Sequence, residues 1–398
     1  MTRQSIAADT GRAVASPRVV HIIVGLGIGG AESMLFRLVA SPEATSRVEH
    51  CVISLTDLGE IGRDLREAGT DVLTLGMRGM RDIPLALIRL RRALKALRPD
   101  VVQTWMYHAD LLGGIAAKLA GCRRIIWGVR TTHVAYEGSL QTVWVRRICA
   151  VLSRWIPEAI VCAADASLRA HIGAGYCARK MIVIPNGFDV TALANAAARR
   201  MSSRESLGFQ SNEFVVGGVG RFNPVKDFRT FIRAARQIQT ELPNTRFLLM
   251  GRDMEPANRE LSDWIAEAGL VDRFVLLGER RDALDCIAAM DVYCLSSRSE
   301  GFPNVLGEAM GIGIPCVVTE VGDAAFLLGD GGVVVRSADP VALAAGVVAI
   351  LRLDAAERTA TGRRGQRRIH SLFTLQQSRD RFERLYLAPG GDQDRNPS

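Results

Sequence analysis

The feature that most constrains this chain is an alternation of short apolar runs with amphipathic runs, which occurs twice along its length. The apolar runs have the length of buried strands, and the runs between them have helical spacing, so the pattern predicts parallel α/β sheets. In the first half the predicted strands are 19–24, 50–55, 71–75, 100–104, 124–129, 159–162 and 181–184. In the second half they are 214–220, 246–250, 273–277, 291–295, 314–318 and 332–335.

Predicted helices occupy the segments between these strands. In the first half they include 30–40, 60–68, 84–97, 109–120 and 140–153, and in the second half 227–240 and 374–387. The alternation stops near 190–210 and then starts again. A chain of 398 residues is long enough for two such cores. We therefore expect an α/β protein with two Rossmann-like domains whose parallel sheets face a central cleft.

The break in the pattern predicts the domain boundaries. The first domain is expected over 18–195 and the second over 196–372. The helix in 373–387 is expected to cross back onto the first domain. The ends, 1–17 and 388–398, are polar or rich in small residues, which is typical of disorder.

The charge of the chain is unevenly distributed. The net charge is +8, and residues 1–195 hold 24 Lys and Arg against 16 Asp and Glu, whereas the remainder holds 26 of each. Arginines alternate with apolar residues in 87–99 and in 143–157. This pattern has two interpretations, a basic surface that touches anionic lipid and two ordinary solvated helix faces. Nucleic acid is not expected as a partner, because stacking aromatic residues are not interleaved with these charges.

The cysteines and the apolar runs of the sequence indicate in which cellular compartment the protein functions. The eight cysteines show no CxxC pair and no zinc spacing, and most lie in apolar runs, as expected in a reducing environment. No apolar core is found in the first 17 residues, and no run reaches the roughly 20 apolar residues of a membrane span. We expect a cytoplasmic protein, with attachment to the inner face of the plasma membrane as the further possibility.

A glycine turn follows the first predicted strand. In VVHIIVGLGIGGAES (19–33), Gly25, Gly27 and Gly30 match GxGxxG, and Asp57 follows the second strand near the position of a ribose-binding acid. The motif is consistent with an NAD-dependent oxidoreductase. It is equally consistent with another phosphate ligand, because any strand–glycine–helix turn offers backbone N–H groups to an anion.

Two cations follow the first strand of the second half. In GVGRFNPVKDF (218–228), Arg221 leaves the strand end and Lys226 precedes a helix. Ligands bind at the carboxyl edge of such sheets, and two cations placed there suit a diphosphate. The alternative is that the two cations form surface ion pairs with Asp227 and some other acid.

Two glutamates bracket a turn that becomes a helix. In SSRSEGFPNVLGEAM (296–310), Glu300 lies in the loop and Glu308 in the helix, with Pro303 in the first turn. The N–H groups near 302–305 favour an anion, and the two carboxylates can accept hydrogen bonds from hydroxyls beside it. Alternatively, Glu308 only complements the helix dipole and Glu300 is merely exposed. The loop 278–282, at the same edge, is a weaker candidate for contacting a base.

With these motifs the second half resembles the donor domain of glycosyltransferase family 4, the retaining enzymes of GT-B fold. The similar segments are GRFNPVKDF and LLGERRDALDCIAAMDVYCLSSRSEGFPNVLGEAMGIGIPCVVTEVGD. The first half is similar in GLGIGGAES, VVQTWMYHADLLGGIAAKLAG and VIPNGFD. The resemblance covers roughly 18–387 and is greatest to enzymes that build exopolysaccharide or lipid-linked glycans.

The resemblance implies a role for each group. Arg221 and Lys226 would bind the diphosphate of a UDP- or GDP-sugar, Glu308 the ribose hydroxyls, and Glu300 the transferred sugar. The turn at Gly29 and Gly30 would close over the distal phosphate, without a nicotinamide. The backbone beside the sugar would be that of Gly301, Phe302, Pro303, Asn304 and Val305.

Three first-domain residues are candidates for the catalytic and acceptor sides. Many relatives carry a histidine after the strand that ends near 129, whereas this chain has Arg130 there and His133 three residues later. Either residue could take that role, or Arg130 could bind an anionic group. His108 is a candidate for the acceptor side. For each histidine, an ordinary polar loop residue is the alternative.

The resemblance also implies the chemistry. Transfer would retain configuration, with the departing phosphate oxygen as base, without a metal or cofactor. The only DxD, at 392–394, lies in the tail. The acceptor would be a glycan or a lipid-linked sugar. The alternatives are a nucleotide-sugar epimerase of GT-B type, an NAD-dependent oxidoreductase, and a scaffold without catalysis that binds a partner or lipid.

Overall fold

Each series of predicted strands forms one parallel sheet in a computed structural model that describes residues 16–40, 47–132 and 140–389. The strands of the first sheet are β1 (Arg18–Ile23), β2 (Glu49–Ser54), β3 (Asp71–Thr74), β4 (Val101–Trp105), β5 (Arg124–Val129), β6 (Ala159–Cys162) and β7 (Met181–Val183). Within the described ranges they lie in the order β3-β2-β1-β4-β5-β6-β7. The order reverses between β1 and β4, where such sheets form a binding crevice.

The second sheet repeats this arrangement. Its strands are β8 (Phe214–Val219), β9 (Thr245–Met250), β10 (Phe274–Leu276), β11 (Val292–Leu295), β12 (Cys316–Thr319) and β13 (Gly332–Val335). Their order in the described chain is β10-β9-β8-β11-β12-β13, with the reversal between β8 and β11. The predicted fold class, two Rossmann-like domains with parallel sheets, is confirmed.

Helices connect the strands and cover both faces of each sheet. Those of the first half are α1 (Gly30–Val39), α2 (Gly59–Glu67), α3 (Ile83–Leu97), α4 (Tyr107–Ala120), α5 (Leu140–Leu152), α6 (Asp165–Gly173), α7 (Val190–Ala198) and α8 (Arg200–Ser206). Those that follow are α9 (Phe228–Glu241), α10 (Arg259–Glu267), α11 (Ala283–Ala288), α12 (Asn304–Ile312), α13 (Ala324–Leu328), α14 (Pro340–Arg352), α15 (Ala355–Leu372) and α16 (Leu375–Leu387). Among the helices of the described ranges, none combines the length and the apolar character that crossing a bilayer requires.

The first sheet is buried on both faces, which explains its continuous apolar strands. In β5, Ile125 and Trp127 pack into the core shared with α3, α4 and α5. Ile126, which points to the opposite face, packs with α1 and α16. The two faces of this sheet therefore carry different helix layers, and α3 and α5 belong to the same one.

The last helix packs on the first domain. Leu375, Phe382 and Tyr386 of α16 belong to the core beneath α1. The Arg124 guanidinium donates to the carbonyl oxygens of Leu385 and Tyr386, at 2.8 and 2.5 Å. The chain thus returns from the second domain and ends its folded part against the first.

A buried carboxylate fastens the two domains together. Asp323, in the loop after β12, accepts hydrogen bonds from the backbone N–H groups of Asp165 and Ala166, at 2.7 and 2.9 Å. These groups belong to the first turn of α6, where helix N–H groups lack intrahelical partners and a negative charge is favourable. This contact holds the rim of the second sheet against the first domain.

Candidate active site

The glycine turn after β1 faces the start of α12 across the cleft. Gly29 is the extended residue before α1, and Gly30 is its first residue. A Cβ atom on Gly30 would lie 3.3 Å from the Asn304 amide nitrogen, so a side chain there would crowd the neighbouring domain. The structure therefore brings together two of the segments that the sequence analysis assigned to the donor.

The turn after β8 directs its polar groups by local hydrogen bonds. Asn223 accepts a hydrogen bond from the N–H of Val225 at 2.9 Å and so starts the short turn that ends at Lys226. Asp227, with a left-handed φ of 49°, caps α9. Its carboxylate pairs with Arg298 at 2.8 Å. The Asp227 carboxylate is therefore engaged by Arg298, and the acid that pairs with Lys226 is Glu300, at 2.6 Å.

Lys226 and Glu300 are in direct contact. The Lys226 ammonium lies 2.6 Å from Glu300 Oε1, and the Ser297 hydroxyl donates to the same oxygen at 2.6 Å. The Ser296 hydroxyl donates to the Lys226 carbonyl at 2.9 Å, which ties the two loops to each other. Lys226 and the carboxylate that the resemblance assigns to the transferred sugar thus share one corner of the cleft.

Arg221 lies at the mouth of the same cleft and faces the first domain. Its side chain is exposed, and its charge acts on Glu32 in the first turn of α1. Burial raises the pKa of Glu32, and the hydrogen bond to its own backbone and the Arg221 charge oppose that rise. The Arg221 charge therefore acts on the first turn of α1, and its contact with a bound diphosphate stays a prediction.

Glu308 is paired across the domain boundary. Its Oε1 lies 2.6 Å from Arg37 Nη2, which comes from the last turn of α1. The two residues are 271 positions apart in the chain. The carboxylate that the sequence analysis assigned to ribose is thus present in the cleft, but a cation from the first domain contacts one of its oxygens.

The side chains around the start of α12 serve packing. Phe302 and Pro303 are buried, and the Phe302 ring stacks on Phe188 with centroids 6.1 Å apart. Val305 is half-buried and packs against the same core. A Cβ atom on Gly301 would lie 3.0 Å from the Thr132 hydroxyl. Contact of the backbone of this segment with a ligand stays a prediction.

Arg130 points into the first domain and reaches the cleft through another residue. Its guanidinium carbon lies 4.6 Å from the ring centroid of Trp105 and 5.6 Å from that of Phe382. Burial lowers the pKa of Arg130 to about 10. Its Nη1 donates to Asn186 at 2.8 Å, and the Asn186 amide donates to Asn304 at 2.7 Å. Arg130 thus positions the start of α12 through Asn186, and direct contact with the donor stays a prediction.

The structure describes one of the two candidate histidines, His108. His108 is the second residue of α4, directly after β4, and burial lowers its pKa. An imidazole with a lowered pKa is neutral near pH 7, which suits a group that accepts or donates a hydrogen bond. His133 lies outside the described residues, as does the DxD at 392–394. Asp57 follows β2 with an exposed side chain.

Three residues of the cleft escaped the sequence analysis: Arg37, Asn186 and Asp323. Asn186 lies within the segment VIPNGFD, yet nothing local indicates that it bridges Arg130 and Asn304, which are 56 and 118 positions away. Arg37 looks like an ordinary helix-terminal cation. Only the packing of the two domains shows what these side chains contact.

Matches to known families cover both sheets. Residues 28–192 match the model described as Glycosyltransferase Family 4, and residues 213–353 match the one described as Glycosyl transferases group 1. The chain belongs to glycosyltransferase family 4. The resemblance stated from the sequence motifs is therefore confirmed.

Curated relatives of this family 4 chain come from several bacteria. It is 31% identical over 247 residues to the UDP-Gal:alpha-D-GlcNAc-diphosphoundecaprenol alpha-1,3-galactosyltransferase of Escherichia coli, an alignment that covers 59% of this chain and 62% of that protein. It is 24% identical to the putative glycosyltransferase EpsF of Bacillus subtilis, over 76% of this chain and 79% of EpsF. It is 25% identical to the lipopolysaccharide core biosynthesis glycosyltransferase LpsD of Rhizobium meliloti, over 93% and 98% of the two chains.

Solved structures share the fold. HepE from Anabaena, solved in complex with UDP and glucose, superposes with a TM-score of 0.81 at 23% identity over 93% of this chain and 99% of HepE. Sucrose-phosphate synthase from Thermosynechococcus elongatus superposes with a TM-score of 0.74 at 19% identity, over 93% and 98% of the two chains. The arrangement of two Rossmann-like domains around a cleft is therefore the GT-B fold.

Proposed function

We propose that this chain is a retaining, metal-independent glycosyltransferase that moves a sugar from a nucleoside diphosphate to a glycan or lipid-linked acceptor in the synthesis of cell-surface polysaccharide. The observation that carries the proposal is the convergence of Lys226, Glu300 and Glu308 around the start of α12, opposite the glycine turn. This arrangement combines groups suited to a diphosphate with carboxylates suited to sugar hydroxyls.

The leaving diphosphate is the group that needs stabilisation. Lys226, Arg221 and the N–H groups at the start of α12 would be aimed at the negative charge that develops as the bond to the sugar breaks. Groups held in place before the reaction act strongly because they need no reorganisation in the transition state. The contacts of Lys226 with Glu300 and of its carbonyl with Ser296 supply that rigidity.

The carboxylates hold the two sugars on either side of the phosphates. Glu308 would accept hydrogen bonds from the ribose hydroxyls and Glu300 from the transferred sugar. In the reaction, the bond between the anomeric carbon and the phosphate oxygen breaks, and the acceptor oxygen bonds to the same face of that carbon. The acceptor proton passes to the departing phosphate oxygen, so no base or nucleophile from the protein is required.

UDP is the first candidate for the nucleotide and GDP the second. The E. coli relative is named for UDP-Gal, and HepE was solved with UDP and glucose. The same relative is named for a diphosphoundecaprenol acceptor, which makes a sugar on a polyprenyl diphosphate the first acceptor to test. The net charge of the first domain is compatible with an acceptor of this anionic kind.

Thermal shift with UDP, GDP, ADP and NAD tests the proposal directly. We expect UDP to raise the midpoint of unfolding the most and NAD to leave it unchanged. The cleft offers groups for a nucleoside diphosphate and a sugar, whereas the diphosphate of NAD carries a second nucleoside, nicotinamide riboside. A shift with NAD and none with any nucleoside diphosphate would contradict the assignment. Conversion of a UDP-sugar to its epimer in the absence of an acceptor would instead indicate an epimerase.

The stereochemistry and the metal requirement need their own measurement. Proton NMR of the fresh product is expected to show the anomeric configuration of the donor. Activity is expected to persist after treatment with EDTA. Inversion of configuration, or a loss of activity that added metal restores, would refute that part of the proposal.

A further inference from the structure

Helix α5 carries an apolar stripe on its outer side. The stripe consists of side chains that recur every three or four residues and are all exposed: Leu140, Trp144, Ile148, Val151 and Trp155. Leu140 is 82% exposed, Trp144 61% and Trp155 64%. Spacing of this kind places the first four side chains on one face of α5, and Trp155 follows in the turn after the helix ends at Leu152. Large apolar side chains grouped in this way mark an interaction site.

The packing of α5 within the protein does not use this stripe. Cys149 and Ala150, on the opposite side of the helix, are buried in the core that α5 shares with α3 and α4. The helix therefore has its place on the sheet without the stripe. The fold leaves the two tryptophans of the stripe exposed. Their burial against a partner outside this chain would contribute considerably to binding.

Positive charge accompanies the stripe. Arg147 and Arg154 are exposed on or next to α5, and the Arg147 guanidinium carbon lies 5.3 Å from the ring centroid of Trp144. Helix α3, in the same layer, exposes four more basic side chains: Arg89, Arg91, Arg92 and Lys95. Among the described residues near α5 in the chain, Asp110 is buried and Glu158 pairs with Arg124 at 3.1 Å.

We propose that this face, the α5 stripe with its flanking arginines, docks on the surface of an anionic lipid bilayer. Tryptophans favour the level of the lipid headgroups, where the ring is partly apolar and the N–H stays hydrated, and arginines beside them attract anionic headgroups. A second copy of this chain fits less well, because a symmetric contact through this face would bring the arginines of both copies together.

The position of α5 gives the docking a consequence, which rests on the proposed function. Helix α5 follows β5 in a parallel sheet, so it begins at the carboxyl edge that faces the cleft. Leu140, the most exposed residue of the stripe, therefore lies at the end of the helix nearest the site. A polyprenyl-linked acceptor held in the membrane would enter the cleft from this side.

Vesicle flotation of the whole chain tests the proposal without any substrate. We expect the wild-type protein to float with vesicles of equimolar phosphatidylglycerol and phosphatidylethanolamine, and much less with vesicles of phosphatidylcholine alone. The double variant Trp144→Ser/Trp155→Ser is expected to lower partition at least about tenfold. Arg147→Glu/Arg154→Glu is expected to lower it about thirtyfold or more, since each basic residue near such a surface contributes about fivefold.

Matched changes in the second domain serve as controls. Val271→Ser/Val341→Ser removes equally exposed apolar side chains, and Arg363→Glu/Arg367→Glu reverses two exposed arginines of α15. Both variants should float like the wild type.

Equal flotation with anionic and neutral vesicles, or equal losses in the α5 and control variants, overturns the proposal. Light scattering that shows a dimer dissolved by Trp144→Ser/Trp155→Ser would assign the stripe to a second copy. Because flotation needs no donor, its failure is distinguishable from failure of the proposed function.

Discussion

The two domains share the same strand order around the cleft but differ in where their charged residues lie. The second domain has equal numbers of acidic and basic residues, and in its cleft Lys226 pairs with Glu300 of the same domain. The first domain carries the entire charge excess, much of it exposed on α3 and α5. It also holds five of the six histidines. This difference fits the two proposals made above, that the second domain holds the anionic donor and that the first docks on a membrane surface.

The largest effect is expected at Lys226. In the variant Lys226→Ala, we expect kcat/KM for sugar transfer to fall about 10²- to 10³-fold, because a positioned charge at the leaving group acts mainly in the transition state. Steady-state kinetics with the donor and a soluble acceptor measures this. Lys118→Ala, a change at an exposed lysine of the first domain, is the control and should leave kcat/KM unchanged. Wild-type turnover in Lys226→Ala would contradict the proposal that the second domain stabilises the leaving diphosphate through Lys226.

The ion pair across the cleft gives the next effect. Glu308→Gln is expected to weaken UDP binding about tenfold or more, since a hydrogen bond to a charged group contributes about 1.5–3 kcal/mol. Arg37→Ala should change the affinity less than about threefold, because a partly exposed ion pair contributes little. Isothermal titration calorimetry measures both. Equal losses would mean that Glu308 serves to latch the domains and not to hold the ribose.

Sensitivity to acid is expected to belong to the first domain. His21 and His50 lie 2.9 Å apart between their ring nitrogens beneath α16. Burial lowers the pKa of His21 well below its usual value and that of His50 to about 4. Above about pH 6.5 both residues are neutral in the folded and the unfolded chain. As the pH falls from there towards 4, only the unfolded chain takes up protons, so stability is lost.

For His50 the expected loss is on the order of 2 kcal/mol near pH 4.5, and His21 adds to it in the same direction. Urea unfolding followed between about pH 4.5 and 7 measures it. The variant His50→Gln should show a shallower dependence of stability on pH, whatever its absolute stability. His370→Gln, at the exposed histidine of the second domain, should keep the wild-type dependence. The same dependence in all three proteins would show that these buried histidines do not distinguish the domains.

Most of the fold and half of the site are readable from short segments. The predicted strands differ from the observed ones by one or two residues, because a buried parallel strand is a continuous apolar run whose limits are local. The same holds for Glu300 and Glu308, which lie on either side of one turn. The helices α7 and α8 were missed as such, since a segment without strand pattern does not by itself indicate a helix.

The amino-acid sequence by itself determined the two α/β domains, the family, and the polar segments at the strand ends, because each depends on residues within about one turn or strand of one another. Only the tertiary structure decided that Arg37 meets Glu308, that Arg130 acts through Asn186, and that the stripe on α5 is left uncovered. The physical reason is that these facts depend on the docking of domains and helices. Docking brings together side chains that no local pattern connects.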